Sequence, residues 1–137
     1  MHLALGAATV ALARAGASSL AEIAAMRVPT VLIPYPSATD NHQFHNARAF
    51  EATGAARLLD QQTASPESLT QLLLDLVKDN TLRQRMQDAL AQWHAPHAAE
   101  QIAQAILDTV ANHAPLAQGR PLSTRPAAES RHPCALA

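Results

Sequence analysis

Apolar positions along the chain follow two different periods. Residues 8–13 (Ala-Thr-Val-Ala-Leu-Ala) and 28–33 (Val-Pro-Thr-Val-Leu-Ile) are near-continuous apolar runs, as expected of parallel strands covered on both faces. A shorter run, Ala55 to Leu59, follows Gly54 and predicts a third strand. Between the runs the spacing lengthens. Leu20, Ile23 and Ala24 mark a helix over 18–26 with a start signal at Ser18-Ser19, and a second helix is predicted over 41–53, stopped by Gly54. Residues 1–7 read as the end of a helix.

Beyond the third strand the pattern is helical. Ser65-Pro66 supplies an N-cap and a proline in the first turn, and Leu69, Leu72, Leu73, Leu76 and Val77 form an amphipathic stripe. Further helices are predicted over 81–93 and 97–111, the last with Ile102, Ala105, Ile106 and Val110 on one face. Strand, helix, strand, helix, strand implies a parallel sheet with right-handed crossovers, half of a doubly wound fold. Prolines at 115, 121, 126 and 133, with no apolar period, predict a folded domain over 1–112 and a disordered tail over 113–137.

Composition narrows the classes. With 48% hydrophobic but 3% aromatic residues, the core is built from aliphatic side chains, and aromatic platforms for single-stranded nucleic acid are lacking. A net charge of -1 carries no basic footprint, which also argues against a nucleic-acid partner. The one cysteine, Cys134, rules out an internal disulfide framework or a cysteine-built zinc site. No apolar run reaches membrane-span length, and Met1-His2-Leu3-Ala4-Leu5 lacks the basic start of a secretory signal.

Two stretches carry candidate chemistry. Arg14-Ala15-Gly16-Ala17-Ser18-Ser19-Leu20-Ala21-Glu22 joins a strand to a helix start, where free N–H groups and the helix dipole suit a phosphate. Gly16 allows close approach of a ligand, and Ser18 and Ser19 add hydroxyls. On spacing alone, Ser19 to Glu22 also reads as a plain S-x-x-E capping box, the more frequent explanation of such a pattern. The second stretch, Pro34 to Ala47, follows the next strand and opens on the same sheet edge, where open α/β sheets bind their ligands. Its His42, Gln43 and Asn46 have the hydrogen-bonding groups that sugar hydroxyls and amides require.

Together the stretches resemble the MurG family of peptidoglycan N-acetylglucosaminyltransferases. The family pattern is roughly R-x-G-A-x-[ST]-x-x-E, a strand ending P-x-P, then D-[DN]-x-Q-x-x-N-A. Here it is met by Arg14, Gly16, Ala17, Ser19 and Glu22, by Pro34 and Pro36, and by Asp40, Asn41, Gln43, Asn46 and Ala47. The resemblance runs through about residue 111. It implies an α/β, Rossmann-like parallel sheet forming the N-terminally incomplete C-terminal half of a GT-B glycosyltransferase of family 28. The implied donor is UDP-GlcNAc, the implied acceptor a lipid-linked muramyl-pentapeptide, and no cofactor or metal is implied. Glu22 would accept from the ribose hydroxyls, Gly16 to Ser19 would hold the diphosphate, and His42, Gln43 and Asn46 would address the sugar end. The implied place is the cytoplasmic face of the cell membrane, held peripherally.

The chain departs from the family in having Ser37 where many relatives carry His, and His97 where they tend to have an Asp cap. No residue matches the glycine-rich loops of the family's acceptor half, which also supplies the expected base, so no catalytic residue is assigned and the chain alone is expected to turn over little. A glycolipid-forming GT-B relative and a non-catalytic nucleotide- or partner-binding remnant stay open as alternatives. Asp40, His42 and His45 suggest a metal site, with the two imidazoles three residues apart. A third ligand of fixed geometry is not evident, and the resemblance explains His42 without a metal. His94, His97, His113, Arg48 and Glu51 read as solvent-facing, Phe44 and Trp93 as packing residues, and Arg14 as either a phosphate contact or a brace for its loop.

Overall fold

A computed structural model describes residues 2–113. They fall in two units, Met1–Ala95 and the described part of Pro96–Ala137. The tail expected over 113–137 lies outside the described residues, except that His113 closes the last helix.

The first unit runs α1 (His2–Ala7), β1 (Ala11–Ala13), α2 (Ala17–Met26), β2 (Thr30–Leu32), a 3-10 turn (Thr39–Asn41), α3 (His42–Ala52), β3 (Arg57–Leu58), α4 (Pro66–Lys78) and α5 (Asn80–Ala91). The three strands lie in the order β1-β2-β3, all parallel, with Leu12 opposite Val31 and Leu32 opposite Leu58. The strands are shorter than the apolar runs that predict them. Residues 8–10 and 28–29 still contribute side chains or carbonyls, as in the Ala11 N–H to Pro29 carbonyl bond, but they do not extend the ladder.

Successive residues of β2 face opposite sides of the sheet. Leu32 packs with Leu20, Ile23, Ala24, Ala47, Phe50 and Leu90 from α2, α3 and α5. Val31 packs with Leu76 and Met86 from α4 and α5, flanked by Leu69, Leu72 and Leu73. Val77, placed in the α4 stripe by its spacing, is instead 55% exposed. Viewed down the helix it lies at the rim of the arc defined by Leu69, Leu72, Leu73 and Leu76, beyond the sheet's reach. Buried Thr30 satisfies its hydroxyl on the Val28 carbonyl at 2.7 Å.

The helix ends explain the chain reversals. Arg27 ends α2 in the left-handed region (φ 52), with N–H bonds returning from Arg27 and Val28 to Ala24 and Ile23. Gly54, also left-handed (φ 77), performs the same task after α3, as its position predicts. Ser65 caps α4, and Ser68 returns the bond to the Ser65 N–H, completing a capping box with serine in the place of the usual Glu or Gln. Trp93 stacks on Phe50 at 4.2 Å and donates to the Thr53 hydroxyl at 2.9 Å. Glu51 is exposed as expected, yet its carboxylate accepts from the Leu58 N–H and ties α3 to β3.

In the second unit α6 spans Ala98–His113. Its Ile102, Ile106, Leu107 and Val110 are exposed within that unit. No helix among the described residues is long and apolar enough to cross a membrane.

Candidate functional site

All three strands end on one edge, so the loops after Ala13, Leu32 and Leu58 open together. The first is three residues long. α2 begins at Ala17 with Gly16 as its N-cap, and no side chain caps it. The first helical bond runs from the Leu20 N–H to the Gly16 carbonyl, which leaves the N–H groups of residues 17–19 directed out of the helix start. No acidic residue offsets the dipole in this turn.

This geometry corrects the capping-box reading of Ser19 and Glu22. The helix starts two residues before Ser19, so Ser19 is its third residue and cannot act as N-cap. Ser18 and Ser19 lie in the first turn, exposed and half-buried respectively. Glu22 is exposed one turn further on, three and four residues beyond them and so on the same face. It takes no partner among the described residues.

Gly16 has ordinary extended dihedrals (φ -73, ψ 145), and a Cβ placed there would meet no atom within 4 Å. Neither backbone conformation nor packing within the chain demands glycine at this position. Its lack of a side chain keeps the approach to the helix start open.

The second loop carries Pro34 to Asn41, where Asp40 and Asn41 both sit at positive φ (50 and 57). Asp and Asn are the non-glycine types that tolerate this region best. α3 then opens with half-buried His42 and Gln43. Gln43 Oε1 accepts from the Tyr35 N–H at 3.0 Å, folding the loop back over the helix start. Asn46 is 7% exposed, and its Nδ2 donates to the Ala15 carbonyl at 3.2 Å, which pins the turn before Gly16 to α3. His45 is exposed and meets Phe44 edge-on. Among the described residues no three His, Cys, Asp or Glu side chains converge on a metal position.

The third loop was not singled out from the sequence. Gln61, three residues beyond β3, accepts from Arg14 at 2.6 Å. Asp60 and Gln62, with Tyr35, Asn41 and Phe44, line a cleft of about 210 Å³ beside the second loop. The signal was available in principle, because a short parallel strand delivers the residues just after it to the same edge. Arg14 is a brace in this structure: it donates to the carbonyls of Ile33 and Pro34 as well as to Gln61.

An open parallel sheet with a glycine turn, an uncapped helix start and polar loops at its carboxyl edge has the architecture of one half of a doubly wound α/β protein. The family model of the glycosyltransferase family 28 C-terminal domain matches residues 1–116. The chain belongs to that family, and its fold is the C-terminal half of a GT-B glycosyltransferase.

Among its relatives, the UDP-N-acetylglucosamine--N-acetylmuramyl-(pentapeptide) pyrophosphoryl-undecaprenol N-acetylglucosamine transferase of Chlorobium luteolum is 41% identical over 114 residues, covering 82% of this chain and 31% of the relative. The protein of the same name from Carboxydothermus hydrogenoformans is 55% identical over 73 residues, 53% of this chain and 20% of the relative. The crystal structure of Acinetobacter baumannii MurG superposes with a TM-score of 0.67 at 33% identity, over 74% of this chain and 30% of that one. The chain thus spans less than a third of the length of these relatives.

Proposed function

We infer that this chain is the donor-binding part of an inverting N-acetylglucosaminyltransferase. It would hold UDP-GlcNAc while a lipid-linked muramyl-pentapeptide is presented by the remaining two thirds of the enzyme. The observation that carries this reading is the α2 start: outward N–H groups at 17–19 beside Gly16, with unpartnered Glu22 one turn behind on the same face. The diphosphate sits at the N–H groups and the serine hydroxyls, and Glu22 accepts from the vicinal ribose hydroxyls. The sugar then lies toward His42 and Gln43. Asn46 acts from beneath, holding the turn through Ala15.

Chemically, this half serves the leaving group. As the acceptor hydroxyl attacks the anomeric carbon, the bond to the diphosphate breaks and negative charge grows on UDP. The helix start is pre-arranged to meet that charge. The base that takes the acceptor proton belongs to the acceptor side, which also brings the enzyme to the cytoplasmic face of the membrane as a peripheral protein.

Titration of the purified chain with UDP-GlcNAc should show saturable binding, and a transfer assay with lipid-linked muramyl-pentapeptide should show no product. Adding the N-terminal half of a relative should restore transfer. Failure to bind any uridine nucleotide would sink the donor-site reading, and multiple turnover by the chain alone would overturn this division of labour.

A further inference from the structure

One peptide unit links the arginine after β1 to the glutamine that opens α3. Arg14 Nη1 donates to the carbonyls of Ile33 and Pro34 at 3.0 and 3.2 Å, and its guanidinium lies 5.6 Å from the centre of the Tyr35 ring. The Pro34 carbonyl and the Tyr35 N–H belong to the same planar amide. Holding the carbonyl therefore aims the N–H, and that N–H donates to Gln43 Oε1 at 3.0 Å. A glutamine amide can present either its oxygen or its NH2. Here the oxygen is taken by the loop, so the NH2 is the end that Gln43 has to offer.

We propose that Arg14 is a positioning residue that sets the polarity of Gln43, making the start of α3 a hydrogen-bond donor toward an acceptor oxygen of the bound sugar. The proposal rests on the donor-site reading above for the ligand, but the coupling of Arg14 to Gln43 is a property of the chain itself. A direct phosphate contact is the competing use of Arg14. It would draw on Nε or Nη2, since Nη1 already serves Ile33, Pro34 and Gln61. The two roles predict different losses.

The test uses the whole chain and the variants Arg14→Met, Arg14→Lys, Gln43→Ala and Gln43→Glu. Without ligand, exchange of the Tyr35 amide proton should quicken roughly tenfold in Arg14→Met and Gln43→Ala, the scale of one lost hydrogen bond. The Leu20 amide, bonded to Gly16, should not change. Arg14→Lys, able to keep one carbonyl, should fall between. Gln43→Glu retains an oxygen for the Tyr35 N–H and should keep its protection.

With ligand, Arg14→Met should bind UDP within about twofold of wild type while losing most of the advantage of UDP-GlcNAc over UDP, roughly tenfold if one hydrogen bond carries it. Gln43→Glu, which replaces the NH2 by oxygen, should lose the same advantage with its loop intact. Equal losses for UDP and UDP-GlcNAc in Arg14→Met would make Arg14 a phosphate contact and overturn the proposal. So would unchanged Tyr35 exchange in a folded Arg14→Met. If the wild-type chain binds neither nucleotide, the donor-site reading falls and the polarity assignment with it, while the exchange data decide the coupling.

Discussion

Two residues separate what the fold needs from what a ligand needs. Gly16 sits in extended backbone with open space around its Cα, so Gly16→Ala introduces no strain. Restricting the unfolded chain contributes about 0.4–1 kcal/mol, offset by a loss of similar size because alanine is the poorer N-cap. Stability should therefore stay within about 1 kcal/mol of wild type, while the added methyl obstructs the helix start and weakens UDP-GlcNAc binding. Thermal unfolding and titration of one sample check both halves. Tight binding by Gly16→Ala would remove the glycine from the ligand's path.

Glu67, in the first turn of α4, has its carboxyl held below the ordinary value of 4.5 by the hydrogen bond from its own backbone N–H and by the Ser65 hydroxyl. A carboxyl with a depressed folded value stabilises fully above its unfolded value, and the contribution is lost as pH falls through the folded one. Glu67→Gln should melt slightly below wild type at neutral pH. The gap should close only in acid, below the ordinary glutamate range. A gap that persists there would mean packing, not charge, is the cause.

At the scale of elements, helix ends carry the turns that bring the loops to one edge. Arg27 adopts a left-handed conformation in which its Cβ is crowded, whereas Gly54 does the same work without one. Arg27→Gly should raise stability by about 0.5–1 kcal/mol, a few degrees in melting temperature for a domain of this size. Gly54→Ala should lower it by a similar amount. Denaturant unfolding of both variants measures this, and a destabilised Arg27→Gly would show that the arginine side chain holds something its backbone conformation does not reveal.

The order of elements was legible because period and punctuation agree: apolar runs, glycine after α3, Ser65-Pro66 before α4. The start of α2 was not. Ser19 and Glu22 have the spacing of a capping box, but the chain enters the helix two residues earlier, at Ala17, because Gly16 takes the N-cap place. The strand runs of five or six residues shrank to two or three, since apolar character reports burial on both faces and not ladder pairing. Ser68 in the α4 capping box was missed because serine is not the residue usually sought at that position.

At the scale of the whole molecule, parallel topology is what assembles the candidate site. Three strands pointing the same way deliver Gly16, Gln43 and Gln61 to one edge although they lie far apart in sequence. The first two stretches could be read from residue types, because each combines a loop with groups suited to phosphate or sugar. Arg14 reads from the sequence as a phosphate contact or a brace, but which residues it braces does not, since its partners lie 19 to 47 residues away and no local pattern encodes those pairings. Asn46 shows the converse: a polar residue in the motif that the fold buries to support the turn beneath Gly16.

Glu22 tests the central claim most directly, because the structure removes its competing structural role. It is exposed, lies outside any capping box and takes no partner among the described residues. Glu22→Gln should therefore melt within about a degree of wild type, as surface substitutions away from special features generally do. If the carboxylate holds the ribose hydroxyls, the lost charge-assisted hydrogen bond is worth about 1.5–3 kcal/mol, so UDP affinity should fall roughly tenfold or more. Calorimetric titration of UDP into the wild-type chain and Glu22→Gln, paired with their melting curves, reads both quantities. Equal melting with a weakened UDP isotherm is the predicted result. Equal melting with an unchanged isotherm would contradict the account and take the ribose away from Glu22.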